Sequence, residues 1–109
     1  MAIVAKSFGG RLALTHLPEG VDRMVLWAPA VLGPFADHEP SIDASELAEI
    51  AVPVRVLQSD EDEVVTVGNA ASIAEHLPNG DLIELSGEDH SFLHDEKRIV
   101  ELTLAFLSD

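Results

Sequence analysis

The chain has 109 residues, of which 47% are hydrophobic and 24% charged, proportions typical of one soluble globular domain. Twenty acidic residues against six scattered basic ones give a formal net charge of −14, which excludes nucleic acid and anionic membrane surfaces as partners. The chain has no cysteine, so a disulfide framework and a thiolate metal site are excluded as well.

The sequence carries no signal for secretion or membrane insertion. The apolar run at residues 1–5 is too short for a signal peptide and lacks a cleavage-site pattern. No apolar run approaches the roughly 20 residues of a membrane span. We therefore expect a soluble protein of the cytoplasm.

Short apolar runs alternate with amphipathic stretches along the chain, with Pro and Gly between them. The predicted elements of the first part are, in chain order, a strand at 2–6, a helix at 9–17, a strand at 23–28 and a loop at 32–42. They are followed by a short helix near 43–50, a strand at 54–58, a helix at 67–77, an edge-like strand at 81–85 and a C-terminal helix with an apolar stripe over 99–107. Strands that alternate with helices predict an α/β fold, in which one domain over residues 1–109 forms a four-stranded parallel sheet in sequential order with helices on both faces.

Ser7 is the strongest candidate for a catalytic residue. It stands in the run Ala5-Lys6-Ser7-Phe8-Gly9, directly after a predicted strand and directly before a predicted helix. A serine on such a sharp turn presents its Oγ to solvent, and the flanking residues are small because the turn packs tightly. The N–H of Phe8, at the start of the helix, can donate to an oxyanion.

A nucleophilic serine requires a base and an acid that orients the base. The loop after the third strand contains Asp60 and Asp62, and the loop after the fourth strand contains His90. Because parallel strands place their carboxyl ends at one edge of the sheet, we expect both loops to lie on the side of Ser7. The chain order Ser, Asp, His is that of the α/β-hydrolases.

Over essentially the whole chain, the sequence resembles the α/β-hydrolase superfamily from its nucleophile elbow onward, with small esterase-like and dienelactone-hydrolase-like members as the nearest type. The run at 5–9 resembles the nucleophile elbow, and residues 25–30 resemble the next strand and its pocket-lining turn. By the register of the family's acid loop, Asp62 is the acid and Asp60 the second choice. The histidine loop at 87–92 makes His90 the base.

The resemblance also shows departures from the family pattern. Ala5 replaces the usual first glycine of the elbow, and Ser59 stands where a glycine is common. The resemblance begins at the family's fifth strand, so the chain corresponds to the C-terminal half of the fold and lacks the loop that supplies the second oxyanion donor. Loss of one such donor costs on the order of 10²–10³ in rate, which predicts a weak enzyme.

The truncation has a structural consequence, because the strand at 2–6 would be central in the complete sheet. Left at an edge, it offers unpaired backbone groups to a partner. We expect a homodimer through this strand, or a separate chain that supplies the N-terminal half. A sequence that is itself a fragment of a longer protein is the third alternative, against which the opening Met1 argues mildly.

Other residues give weaker signals. His90 and His94 are four residues apart and could share a metal, but no carboxylate has a matching spacing, so we expect neither a metal nor a cofactor. The acidic run at 60–63 lacks the spaced ligands and central glycine of a calcium loop. Lys6 could steer a substrate carboxylate, although such residues are more often solvated neighbours, and Trp27 is better explained as core.

Two functions from different classes fit these observations. The first is a serine hydrolase of a carboxylic ester, thioester or similar small acyl substrate that uses Ser7, His90 and Asp62. The second is a truncated hydrolase whose triad is idle and which acts as an interaction or dimerisation module. The segment at 30–46 would form the substrate pocket, and its sequence is unspecific.

Overall fold

The structure is a computed structural model that describes residues 2–17, 19–30, 43–88, 90 and 96–108. Within these residues, four strands and four helices alternate. They are β1 (Ala2–Lys6), α1 (Phe8–Thr15), β2 (Arg23–Trp27), α2 (Ala44–Leu47), β3 (Val54–Ser59), α3 (Val67–His76), β4 (Gly80–Leu85) and α4 (Glu96–Leu107). The predicted loop at 32–42, and with it most of the predicted pocket segment, lies outside the described residues.

The four strands form one parallel sheet in the order β1-β2-β3-β4, as predicted. A continuous row of paired residues crosses the sheet: Ala5 opposite Leu26, Leu26 opposite Val56, and Val56 opposite Leu82. Each strand is joined to the next through a helix, and all crossovers advance in the same direction. The predicted α/β class and the sequential strand order are therefore confirmed.

The alternating side chains of the two central strands divide the core into two layers. On one face, Met24 of β2 and Val56 of β3 pack with buried side chains of α1, α2 and α3. On the other face, Val25 and Leu57 pack with Ile99 of α4 and its neighbours. Successive crossovers of one hand in one direction keep their helices on one face, so among the described elements α4 alone covers the other.

Two helices are shorter than predicted, and the apolar stripe of a third is narrower. The first ends at Thr15, before Leu17, and the predicted helix at 43–50 is reduced to the single turn of α2. Asp43 begins that turn with a reciprocal capping box with Glu46. In α4 the apolar stripe is narrower than predicted: the helix packs mainly against β2 and β3, and its Val100 and Leu104 stay about half exposed.

Among the described residues, no helix combines the length and the hydropathy that are needed to cross a membrane.

Candidate active site

Ser7 occupies the sharp turn between β1 and α1. Its backbone has φ 54° and ψ −117°, a region that residues with a side chain rarely adopt. The turn is held from both sides: the Ser7 N–H donates to Trp27 O at 2.8 Å, while Ser7 O accepts from Gly10 N at 3.0 Å and from Ala30 N at 3.3 Å. Hydrogen bonds to the next strand and to the helix thus maintain the strained conformation.

The segment after β2 packs directly against this turn. Ala28 also has a positive φ, 48°, and its N–H donates to Leu57 O at 2.9 Å. A Cβ atom at Gly10 would lie 3.1 Å from Pro29 Cβ, closer than ordinary packing allows, whereas one at Gly9 would meet Ala5 Cβ at an ordinary 3.7 Å. The sequence predicted small residues at Gly9 and Ala5 because of tight packing, but the tightest contact of the elbow is that of Gly10 with Pro29.

Phe8 is the first residue of α1, and its N–H belongs to the first helical turn. The N–H groups of a first turn lack acceptors within the helix and point along the positive end of its dipole. An oxyanion next to Ser7 could accept a hydrogen bond there. The position of Phe8 in the elbow thus suits the predicted oxyanion donor, a role that stays a prediction.

Asp62 follows β3, and its side chain is fully buried. One oxygen, Oδ1, accepts from the N–H groups of Val64 at 2.7 Å and Val65 at 2.8 Å. The other, Oδ2, lies 2.7 Å from His90 Nδ1. Burial opposes ionisation of Asp62, but the hydrogen bonds from Val65, His90 and Val64, and from the amide of Gln58, outweigh it and lower the pKa of this carboxyl below its usual value.

An ionised carboxylate can only accept hydrogen bonds, so Nδ1 of His90 carries the proton and donates it to Asp62. In the neutral ring, Nε2 is then left as the basic nitrogen. The His90 side chain is 28% exposed, which leaves one side of the ring open to solvent. Asp62 and His90 therefore form a pair in which the acid is buried and the base is accessible.

Asp60, the second choice for the acid, has a different environment. It is exposed, and its Oδ1 accepts from Gly87 N at 3.0 Å, which joins the acid loop to the loop that carries His90. A backbone bond from Glu61 N to Glu88 O, also 3.0 Å, joins the same two loops. Gly87 has φ 74°, which favours glycine at this position. Asp60 thus helps to fix the spacing of the loops, and the carboxylate next to His90 is that of Asp62.

Gln58, near the end of β3, was not predicted as a site residue. Its side chain is fully buried, and Nε2 lies 3.1 Å from Asp62 Oδ2, 2.9 Å from Val65 O and 3.2 Å from Ser59 O. The sequence signal was too weak to select it: Gln58 is an uncharged polar residue between Leu57 and Ser59 near the end of a strand. A buried polar side chain requires partners, and here those partners include the acid.

The structure brings Asp62 and His90 together, and it places Ser7 at the carboxyl end of β1 on the same edge of the sheet. The hydrogen bonds of the described residues do not include one between Ser7 and His90. In the same part of the chain, no group of three or more His, Asp or Glu side chains could hold a metal ion. His94, considered above as a metal ligand, lies outside the described residues.

This arrangement, with a strained serine between the first strand and its helix and an Asp–His pair on later loops of a parallel sheet, is that of the α/β-hydrolases. The chain matches the dienelactone hydrolase family over residues 2–105 and belongs to that family. It is thereby an esterase-like member of the α/β-hydrolase superfamily. No curated protein in the comparison matches the chain.

Solved structures show the same fold at low sequence identity. The chain is similar to a serine hydrolase from the polyaromatic hydrocarbon-degrading bacterium Cycloclasticus zankles (TM-score 0.87, 16% identity, 99% of this chain and 64% of that one). It is also similar to a meta-cleavage product hydrolase from Pseudomonas fluorescens (TM-score 0.83, 17% identity, 98% of this chain and 64% of that one). A third similar structure is an alpha/beta hydrolase enzyme from the metagenome of sediments from the Mar Chica lagoon, Morocco (TM-score 0.80, 19% identity, 99% of this chain and 61% of that one). The chain thus spans less than two thirds of the length of each.

Proposed function

We propose that this chain is a serine hydrolase that acts on a small carboxylic ester, thioester or related acyl substrate. Ser7 would be the nucleophile, His90 the general base and Asp62 the acid that orients His90. The observation that carries the proposal is the hydrogen bond between Asp62 Oδ2 and His90 Nδ1, on the same edge of the sheet as the strained turn at Ser7. Membership of the dienelactone hydrolase family supports the reaction class.

In the proposed reaction, Ser7 Oγ attacks the acyl carbon while His90 Nε2 takes up the hydroxyl proton. The tetrahedral intermediate collapses, the bond to the leaving alcohol or thiol breaks, and His90 returns the proton to the leaving group. A water molecule, deprotonated by the same nitrogen, then attacks the acyl-serine; the acid is released as His90 returns the proton to Ser7 Oγ. Asp62 stays ionised throughout and stabilises the imidazolium that forms twice in the cycle.

The Phe8 N–H would stabilise the oxyanion of both tetrahedral intermediates. Acyl-transfer enzymes commonly use two or more such donors, and each contributes on the order of 10²–10³ in rate. If the Phe8 N–H acts as the single donor, we expect slow turnover, which a second donor from a partner would raise. We also expect the chain to act in the cytoplasm.

A second candidate is an idle hydrolase domain that acts as an interaction module. Among the described residues no hydrogen bond joins Ser7 to His90, and this observation favours the second candidate. The two proposals differ in whether the hydroxyl of Ser7 reacts. They agree on the fold and on the pairing of Asp62 with His90.

Turnover of p-nitrophenyl acetate, a small thioester and a small lactone by the purified chain tests the proposal. The lactone is included because the family takes its name from a cyclic ester. We expect release of nitrophenol that Ser7→Ala, prepared in the same way, reduces to the uncatalysed rate. Equal rates in the two preparations would assign the activity to a contaminant and favour the interaction module.

A further inference from the structure

The amide of Gln58 makes more contacts than a structural hydrogen bond requires. Its Nε2 has two protons and three acceptors within hydrogen-bond distance, namely Asp62 Oδ2, Val65 O and Ser59 O. At least one proton is therefore shared between two acceptors. All three acceptors belong to the segment that carries the acid, so one buried side chain holds the whole turn at 59–65.

The orientation of this amide is fixed by its surroundings. Exchange of the nitrogen and oxygen positions would place Gln58 Oε1 against three acceptors, which is electrostatically unfavourable. In the observed orientation Oε1 is buried and has no hydrogen-bond partner among the described residues. A buried acceptor without a partner costs about 1–3 kcal/mol. Gln58 Nε2 thus donates to Asp62 and to the loop, while Gln58 Oε1 has no hydrogen-bond partner among the described residues.

The Gln58 contact falls on the oxygen that Asp62 presents to His90. With Val64 and Val65 on Oδ1, and Gln58 and His90 on Oδ2, four donors surround the carboxylate. Rotation of the carboxylate about its Cβ–Cγ bond would break all four bonds. The two backbone donors restrain the carboxylate through Oδ1, whereas the Gln58 donor acts directly on the oxygen that faces the imidazole.

We propose that Gln58 is a positioning residue, whose side-chain amide holds Asp62 Oδ2 in place to accept the Nδ1 proton of His90. The catalytic part of this inference rests on the proposed function, since it acts through His90. Gln58 is fully buried and does not reach the substrate. Its loss should therefore lower kcat and leave KM nearly unchanged.

The test compares Gln58→Met, which keeps the length of the side chain and removes the donors, with Thr103→Val. Thr103 is also buried and accepts a side-chain hydrogen bond at 3.1 Å, from Trp27 Nε1, in the layer that α4 covers. Loss of either bond should lower the unfolding temperature. We expect Gln58→Met to reduce kcat about ten-fold with KM within two-fold, as for other residues that orient a catalytic ligand, and Thr103→Val to leave both constants unchanged.

The proton resonance of His90 Nδ1–H gives a readout that needs no turnover. A proton in a fixed hydrogen bond to a carboxylate exchanges slowly and gives a distinct downfield signal. We expect the signal in the wild type and in Thr103→Val, and its loss in Gln58→Met. A signal that persists in Gln58→Met with an unchanged kcat would overturn the inference. An inactive wild type that shows the expected NMR pattern would instead contradict only the proposed function.

If Gln58→Met does not fold, the same contact can be tested by substituting Asp62 and recording the side-chain amide resonances of Gln58. Asp62→Asn removes the charged acceptor, and Asp60→Asn removes a neighbouring carboxylate that bonds to Gly87 instead. We expect Asp62→Asn to shift the Gln58 amide protons and to speed their exchange with solvent, and Asp60→Asn to change neither. Equal effects of the two variants would refute the assignment.

Discussion

The backbone of Ser7 has a conformation that glycine adopts readily and other residues adopt at a cost of about 1–3 kcal/mol. Ser7→Gly should relieve this strain, whereas Ser7→Ala keeps it, and both variants lack the hydroxyl. We therefore expect Ser7→Gly to be more stable than Ser7→Ala by about 1 kcal/mol, measured by chemical denaturation. Equal stabilities, or a more stable alanine variant, would show that the turn at Ser7 is not strained.

The stability contributed by Asp62 should depend on pH in a defined direction. Its folded pKa lies below the ordinary value of 3.8, so its contribution is complete above that value and is lost as the pH falls through the folded pKa. We expect Asp62→Asn to destabilise the chain by about 1–3 kcal/mol at pH 7, through loss of charge-assisted hydrogen bonds, and by less below pH 4. Thermal unfolding across this range measures the difference.

Asp60→Asn is the matched control, because Asp60 is exposed and, among the described residues, its side chain accepts one backbone N–H, that of Gly87. Its substitution should cost less than that of Asp62 at pH 7. A penalty for Asp62→Asn that did not shrink in acid would contradict the lowered pKa.

Individual site residues could be selected from the sequence to different extents. Ser7, Asp62 and His90 are chemically conspicuous, and parallel strands bring the loops that carry them to one edge. Their catalytic roles stay predictions, although the structure pairs Asp62 with His90. Gln58 could not be selected, because the sequence does not reveal that a strand residue reaches over the turn that follows it.

At the scale of elements, the close approach between α1 and the end of β2 depends on Gly10. In Gly10→Ala the added methyl group would meet Pro29 at 3.1–3.3 Å, and both are buried, so the elbow must shift. We expect lower stability and a lower rate of reaction at Ser7. Gly9→Ala is the control: it meets Ala5 at an ordinary 3.7 Å, and alanine should add about 0.5–1 kcal/mol of helix stability.

Denaturation curves and the rate of reaction of Ser7 with an active-site phosphonate measure both effects. If Gly9→Ala proved the more damaging variant, the tight contact would lie on the β1 side of the elbow rather than on the side of Pro29.

The types and order of the elements follow from the sequence, because apolar periods of 2 and 3.6 distinguish strands from helices over most of the chain. The ends of the helices do not follow as well. The helix predicted at 43–50 is one capped turn, since Asp43 and Glu46 stabilise its start while Ile50 is drawn into the core next to β3. The sequence predicted a wider apolar stripe on α4 than the helix buries, because the apolar period of a sequence does not reveal how many strands a helix covers.

At the scale of the whole molecule, β1 is an incompletely covered edge. Within the described residues it pairs only with β2, and α4 packs against β2 and β3, so Val4 remains 46% exposed on the α4 side of the sheet. An edge strand with apolar side chains and unpaired backbone groups favours pairing with another strand. We propose that a second copy of the chain pairs through β1.

Light scattering tests this proposal at several concentrations. We expect a dimer for the wild type and for Val100→Lys, and a shift toward monomer for Val4→Lys. The two valines have the same exposure, 46%, but Val100 lies on α4 and not on the edge strand. A monomeric wild type would rule out self-pairing through β1.

The central claim is that His90, oriented by Asp62, activates Ser7. The most direct measurement is labelling of the purified chain with a fluorophosphonate, read by intact mass, for the wild type, Ser7→Ala and His90→Ala. We predict one adduct per wild-type chain, none on Ser7→Ala, and labelling of His90→Ala slowed by at least about a thousand-fold. A wild type that forms no adduct, or an adduct that persists in Ser7→Ala, would contradict this account.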